Sequence, residues 1–224
     1  AGLDASVRAI LWYQGESDGA DFQAHHDGFL ALKQDWSEDY PDIERLYVTQ
    51  LRAGCGGNLI RTQEVQRKLA DDFAEITVMS TTGLDGHDGC HYAYAAGYRE
   101  LGDRYVGLLG RDLYGETPAL DVLPPNPSSA TFAGGGTQIV VTMRNPASVL
   151  TADPGVGATF RLEGSGATIS GATIENNLLV LTVSGDASGA TGLTYLGATQ
   201  TAPWVLNENA IGLLSFYDLP IAPE

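Results

Sequence analysis

The chain has 224 residues, 43% apolar and 18% charged, with 12 lysine and arginine against 28 aspartate and glutamate for a net charge of −16. That length holds one large domain or two small ones, and the charge opposes phosphate backbones and anionic lipid, so nucleic acid is not an expected partner. No apolar run approaches the roughly 18 residues of a membrane span, and Ala1 to Asp4 lack the basic start and apolar stretch of a signal peptide.

Residues 7–13, VRAILWY, read as a buried strand. The following DFQAHHDGFLALKQDWSEDY spaces Phe22, His26, Phe29, Leu30 and Trp36 as a helix does, with His25 and His26 expected at its surface or edge. RLYVTQL (45–51) is a second strand, followed by a loop through Asn58 and a helix over 61–73. EITVMST (75–81) is a third, followed by the loop TGLDGHDGCH and a helix over 93–113. Strands alternating with helices of this length predict an α/β domain over 1–115, its parallel sheet built from right-handed crossovers.

Pro118, Pro124, Pro125 and Pro127 mark a linker over 116–128. Beyond it, short alternating or β-branched runs such as TQIVVTMR and NLLVLTVSG are separated by glycine, asparagine and proline. They predict a small antiparallel β-sandwich over 129–224. A parallel sheet of three strands starting at residue 7 leaves a buried-type strand near an open edge, so a further segment is expected before residue 1.

Parallel α/β sheets carry their active groups in loops at the carboxyl ends of strands. All three such loops are rich in functional side chains: Gln14, Gly15, Glu16 and Ser17; Arg52, Cys55 and Asn58; Asp85, His87, Asp88 and His91. Asp88 stands three residues before His91, an arrangement in which a carboxylate orients an imidazole and stabilises its protonated form. The same spacing also suits a helix cap beside a surface histidine. Gln14, ending a strand and followed by Gly15, can present its amide to a developing oxyanion, while Gly15 lets the backbone come close. Arg52 and Asn58 are candidate substrate contacts, or else serve loop carbonyls. Cys55 and Cys90 are available for one bridge, which would imply an oxidising compartment.

WYQGESD (12–18) and DGCHYAYAAGYRELGDRY (88–105) resemble two signature blocks of the carbohydrate acetylesterases of the sialate O-acetylesterase and acetylxylan esterase type, within the SGNH hydrolases. The resemblance covers roughly 7–110, with a looser match in the closing IGLLSFYDLPI. It implies a partial flavodoxin-like sheet of SGNH type, Gln14 as oxyanion donor, His91 as general base and Asp88 as its acid, with Glu16 the alternative or additional acid. It implies an acetylated carbohydrate substrate, no cofactor, no metal, and a secreted or periplasmic setting. The family's nucleophile is a serine in a Gly-x-Ser block after the first strand. Ser6, Ser17 and Ser80 do not follow that pattern, so the serine is expected on a preceding segment or chain.

Two other readings compete. Asp85, His87, Asp88 and His91 offer ligands for a divalent metal in a metal-dependent hydrolase. Alternatively the chain is a non-catalytic carbohydrate-binding module with Trp204, Tyr195 and Tyr217 as a sugar platform, although aromatics at strand spacing are more often core.

Overall fold

The computed structural model describes residues 6–19, 21–52, 54, 57–196 and 202–224. Three strands, β1 (Ala9–Trp12), β2 (Arg45–Thr49) and β3 (Ile76–Met79), form a parallel sheet in that order. Ile10 lies opposite Leu46, and Leu46 opposite Ile76. Their apolar runs are what a sheet covered on both faces requires, and in the central strand Leu46, Tyr47, Val48 and Thr49 are all buried. β1 differs: Ala9, Ile10 and Trp12 are only half-buried and Leu11 is 47% exposed.

Helix α1 (Phe22–Asp39) begins where Asp21 accepts the backbone N–H of Ala24 at 3.0 Å, an N-cap that satisfies one of the open first-turn donors. α2 (Ile60–Asp72) follows β2. α3 (Arg99–Tyr114) follows one π turn over Tyr94–Tyr98 and ends at Gly115, whose left-handed backbone (φ 68) closes the helix. On one face of the sheet Phe29, Leu46, Val48, Leu69 and Val78 cluster with Leu214; on the other Tyr47, Met79, Leu101, Tyr105 and Leu108 cluster with Ile211. The tail of the chain thus completes both cores of the α/β part.

The β-rich part corrects the sandwich expectation: it is a closed seven-stranded barrel, not two packed sheets. Its strands are β4 (Pro127–Ala133), β5 (Gln138–Met143), β7 (Phe160–Glu163), β8 (Thr168–Glu175), β9 (Leu178–Ser184), β10 (Gly192–Tyr195) and β12 (Phe216–Ala222), in the order β10-β12-β4-β5-β9-β8-β7. Closure comes from β7 pairing with β10 and from β12 lying parallel to β4, with Ile221 opposite Ala130. Strict alternation builds its interior: in β5, Ile139, Val141 and Met143 face inward. β6 (Leu150–Ala152) and β11 (Val205–Asn207) form a separate ribbon. Tyr195 is fully buried in the barrel core, so it is no part of a sugar platform; Trp204 and Tyr217 are half-buried.

Polar contacts join the two parts. Gln50 Nε2 donates to the carbonyls of Gln63 (3.0 Å) and Ser215 (2.8 Å), and its Oε1 accepts the Ser215 N–H at 2.8 Å. Arg67 donates to Glu64 and to Asn126, and Arg144 forms a fork with Asp71. The proline-rich segment is held as well: Asn207 Nδ2 donates to the carbonyls of Asp121 and Leu123 at 3.1 and 3.0 Å.

Candidate active site

Because the three strands are parallel, the loops after them open on one side of the sheet, and these loops hold the polar residues singled out above. The loop after β3 is the most constrained. Asp88 Oδ1 accepts the backbone N–H groups of Cys90 (3.2 Å) and His91 (2.9 Å), and the Asp88 N–H donates to the His91 carbonyl at 2.9 Å. A bridge between His87 and Tyr92 and a bond from Ala93 N–H to the Gly86 carbonyl (3.1 Å) close the turn. The Asp88 carboxylate therefore faces two amide donors, which hold its pKa below the ordinary aspartate value; the nearby His91 ring adds to this.

His91 Nδ1 lies 3.8 Å from Asp88 Oδ1, and both side chains are more than 70% exposed. This is an oriented pair at ion-pair range, longer than a hydrogen bond. His91 is thus open to solvent and to any reacting group that approaches this face.

Arg52, from the β2 loop, anchors this turn. It is buried, its Nη2 donates to the Gly89 carbonyl, and its Nη1 lies 2.9 Å from His87 Nε2. Burial lowers its pKa, an effect opposed by the nearby Tyr92, Tyr13 and Asp88. The guanidinium thus joins two of the active-face loops. Beneath it, burial pushes the Tyr92 hydroxyl up to about 12 and raises Tyr13 further, so both phenols stay neutral. Tyr92 meets His87 and Tyr98 edge-on, with ring centroids 5.6 and 5.8 Å apart. Asn58, by contrast, is exposed and accepts the Ile60 N–H only at 3.4 Å.

In the β1 loop, Gln14 is exposed and Glu16 half-buried, in a short 3-10 turn over Glu16–Asp18. Among the described residues Glu16 makes no ion pair with His91, so Asp88 is the carboxylate beside the imidazole. Gly15 is buried with φ +132, and a Cβ there would stand 2.5 Å from His25 Cε1. No L side chain fits, which explains a glycine at this position in physical terms.

His25 corrects an expectation. Placed at the helix surface by the sequence reading, it is only 3% exposed, with Nδ1 at 2.7 Å from Asp18 Oδ2 and its ring 5.5 Å from that of Trp12. The signal was available, since His25 precedes the core residue Phe29 by four positions and so shares its helix face. His26 is the half-exposed neighbour, paired with Asp27.

The metal reading finds no site: among the described residues no three His, Cys, Asp or Glu side chains converge to hold an ion. His87 turns to Arg52 while Asp88 and His91 face solvent. The Cys55–Cys90 pairing lies outside the described residues through Cys55; Cys90 itself packs near Leu51 and Leu59.

Residues 1–109 match the family model described as carbohydrate esterase, sialic acid-specific acetylesterase, in keeping with a sialate O-acetylesterase-type family. No curated protein matches the chain.

Proposed function

We propose, from the match of its first 109 residues to a model of sialic acid-specific acetylesterases, that this chain is the histidine-bearing part of a carbohydrate O-acetylesterase. The observation that carries the reading is the Asp88–His91 pair, 3.8 Å apart on an open loop whose backbone is fixed by Asp88 itself and by Arg52. A histidine so placed is accessible to a reacting group, with a carboxylate beside its ring.

In this mechanism a serine on a preceding segment attacks the acetyl carbonyl of the sugar ester. His91 takes the serine proton, Asp88 stabilises the imidazolium, and the Gln14 amide donates to the oxyanion of the tetrahedral intermediate. Collapse expels the sugar oxygen, which receives the proton from His91, and leaves an acetyl-enzyme. Water, deprotonated by His91, attacks that ester; collapse releases acetate, and the proton returns to the serine. No cofactor takes part. The setting we infer is secreted or periplasmic.

Support for a further strand beside β1 comes from the sheet. A parallel strand covered on both sides is buried as β2 is, yet β1 leaves Leu11 47% exposed. A neighbouring strand from the serine-bearing segment would cover it.

Intact mass spectrometry of purified protein, followed by a p-nitrophenyl acetate assay on the same sample, tests the reading. A co-purifying or preceding segment with a Gly-x-Ser block, and activity lost on His91→Ala, is the expected result. Activity retained in His91→Ala sinks the assignment.

A further inference from the structure

The buried His25 plays no part in the mechanism above, yet it sits at the centre of a polar network that reaches three elements. Asp18 Oδ2 lies 2.7 Å from His25 Nδ1, and His25 Nε2 lies 3.3 Å from Gln66 Nε2. That same amide nitrogen lies 3.5 Å from the Gln14 carbonyl, and Gln66 Oε1 accepts the Leu51 N–H at 2.8 Å. Gln66 is fully buried.

One placement of hydrogens satisfies every member. His25 carries its proton on Nδ1 and donates to Asp18; its bare Nε2 accepts from Gln66; the second amide hydrogen of Gln66 points to the Gln14 carbonyl. Rotating the Gln66 amide would turn its NH2 group against the Leu51 N–H, so the network has one orientation. Asp18 in turn closes the loop, since its N–H donates to the Gly15 carbonyl at 3.1 Å, and Thr62 Oγ1 donates to the Gly19 carbonyl at 3.1 Å. The Gly15 backbone rests directly on the His25 ring.

We infer that Asp18, His25 and Gln66 form a positioning unit that fixes the Gln14–Glu16 loop to the end of β2, and so sets where the Gln14 amide points. None of the three touches substrate; they act through Gln14. The inference rests on the esterase reading for its catalytic consequence and on the geometry alone for its structural one. A donor misplaced by about 1 Å loses about 10²-fold in rate, whereas substrate binding away from that donor stays intact.

The test uses His25→Ala and Gln66→Leu, with His25→Asn as the conservative variant, since its amide nitrogen replaces the Nδ1 donor to Asp18. Hydrogen exchange is read on this chain, and turnover of an acetylated sugar on the serine-bearing polypeptide. Expected are amide exchange about tenfold faster or more over 14–19 with β2 and β3 unchanged, and kcat lower by about 10²-fold with KM within about twofold. His25→Asn recovers part of both. Unchanged exchange over 14–19, or exchange faster throughout the domain, overturns the inference, as does an unaltered kcat beside loosened exchange. A wild-type protein without esterase activity removes the esterase reading instead, and the exchange measurement still decides whether the unit holds the loop.

Discussion

Asp88 Oδ1 accepts the backbone N–H of His91 at 2.9 Å while the ring of the same histidine stands 3.8 Å away. One carboxylate oxygen thus shapes the turn and faces the imidazole. The two roles separate under substitution. Asp88→Asn keeps an oxygen for the amide donors and removes the charge; His91→Ala removes the imidazole. On the proposed mechanism, with the serine segment supplied, His91→Ala is expected to lower kcat by about 10⁶-fold and Asp88→Asn by about 10⁴-fold. Steady-state kinetics of the two variants checks the order, and a larger loss in Asp88→Asn would count against His91 as base.

The order of this turn depends on pH in a direction set by Asp88. Its folded pKa lies below the ordinary value of 3.8, chiefly through the His91 and Cys90 amides. A depressed carboxyl contributes fully above the unfolded value and loses its contribution as pH falls through the folded one. The amide resonances of Cys90 and His91 are therefore expected to hold their positions down to about pH 4 and to shift below it. A midpoint at or above 3.8 contradicts the assignment.

Arg52→Leu removes the donors to the Gly89 carbonyl and to His87. Hydrogen bonds from a charged group contribute about 1.5–3 kcal/mol each, so a loss of about 3 kcal/mol is expected in urea denaturation. Arg52→Lys is not expected to restore it, because an ammonium cannot present two fixed donors in a fork. Full recovery in Arg52→Lys would show that charge alone suffices.

Two glycines of one loop make a controlled comparison. Gly15→Ala drives a Cβ to 2.5 Å from His25 Cε1 at φ +132, whereas Gly19 (φ +58) has nothing within 4 Å. Gly15→Ala is expected to destabilise by about 3–5 kcal/mol, from strain and overpacking together, and Gly19→Ala, whose backbone (φ +58, ψ −129) also disfavours L residues, by about 1–3 kcal/mol from strain alone. Equal losses in thermal unfolding would place the cause in backbone strain and not in the contact with His25.

Leu11→Lys tests β1, which among the described residues pairs with β2 alone. A half-exposed leucine contributes little alone, so stability is expected to change by less than about 0.5 kcal/mol, and any association through this outer strand is expected to weaken. Light scattering at matched concentrations reads this directly; unchanged association would mean that this edge is not the adhesive surface.

The α/β part was legible because its signals are local. The runs at 7–13, 45–51 and 75–81 contain β1, β2 and β3, and glycine punctuates the loops between them. Glycine and the Asp-x-x-His spacing likewise located the two loops that carry the candidate site. The barrel was not legible as such. Its closure pairs β4 with β12, some 90 positions apart, and no periodicity within either strand distinguishes a seam in a barrel from an edge of a sandwich. The inward turn of His25 was signalled by its four-residue spacing from Phe29, but an imidazole is polar enough to pass for surface until its partners, Asp18 and Gln66, are brought to it from other elements.

The grip of Gln50 on Ser215 spans 165 positions of chain. A ribosome adding about 5–20 residues per second takes about 10–30 s to cover that distance. During that interval the nascent α/β part lacks the partner for a buried amide and also lacks Ile211 and Leu214, which complete its two cores. The half of the chain synthesised first is therefore finished last, and a chain broken before Ile211 would leave the candidate loops on a scaffold with neither core complete.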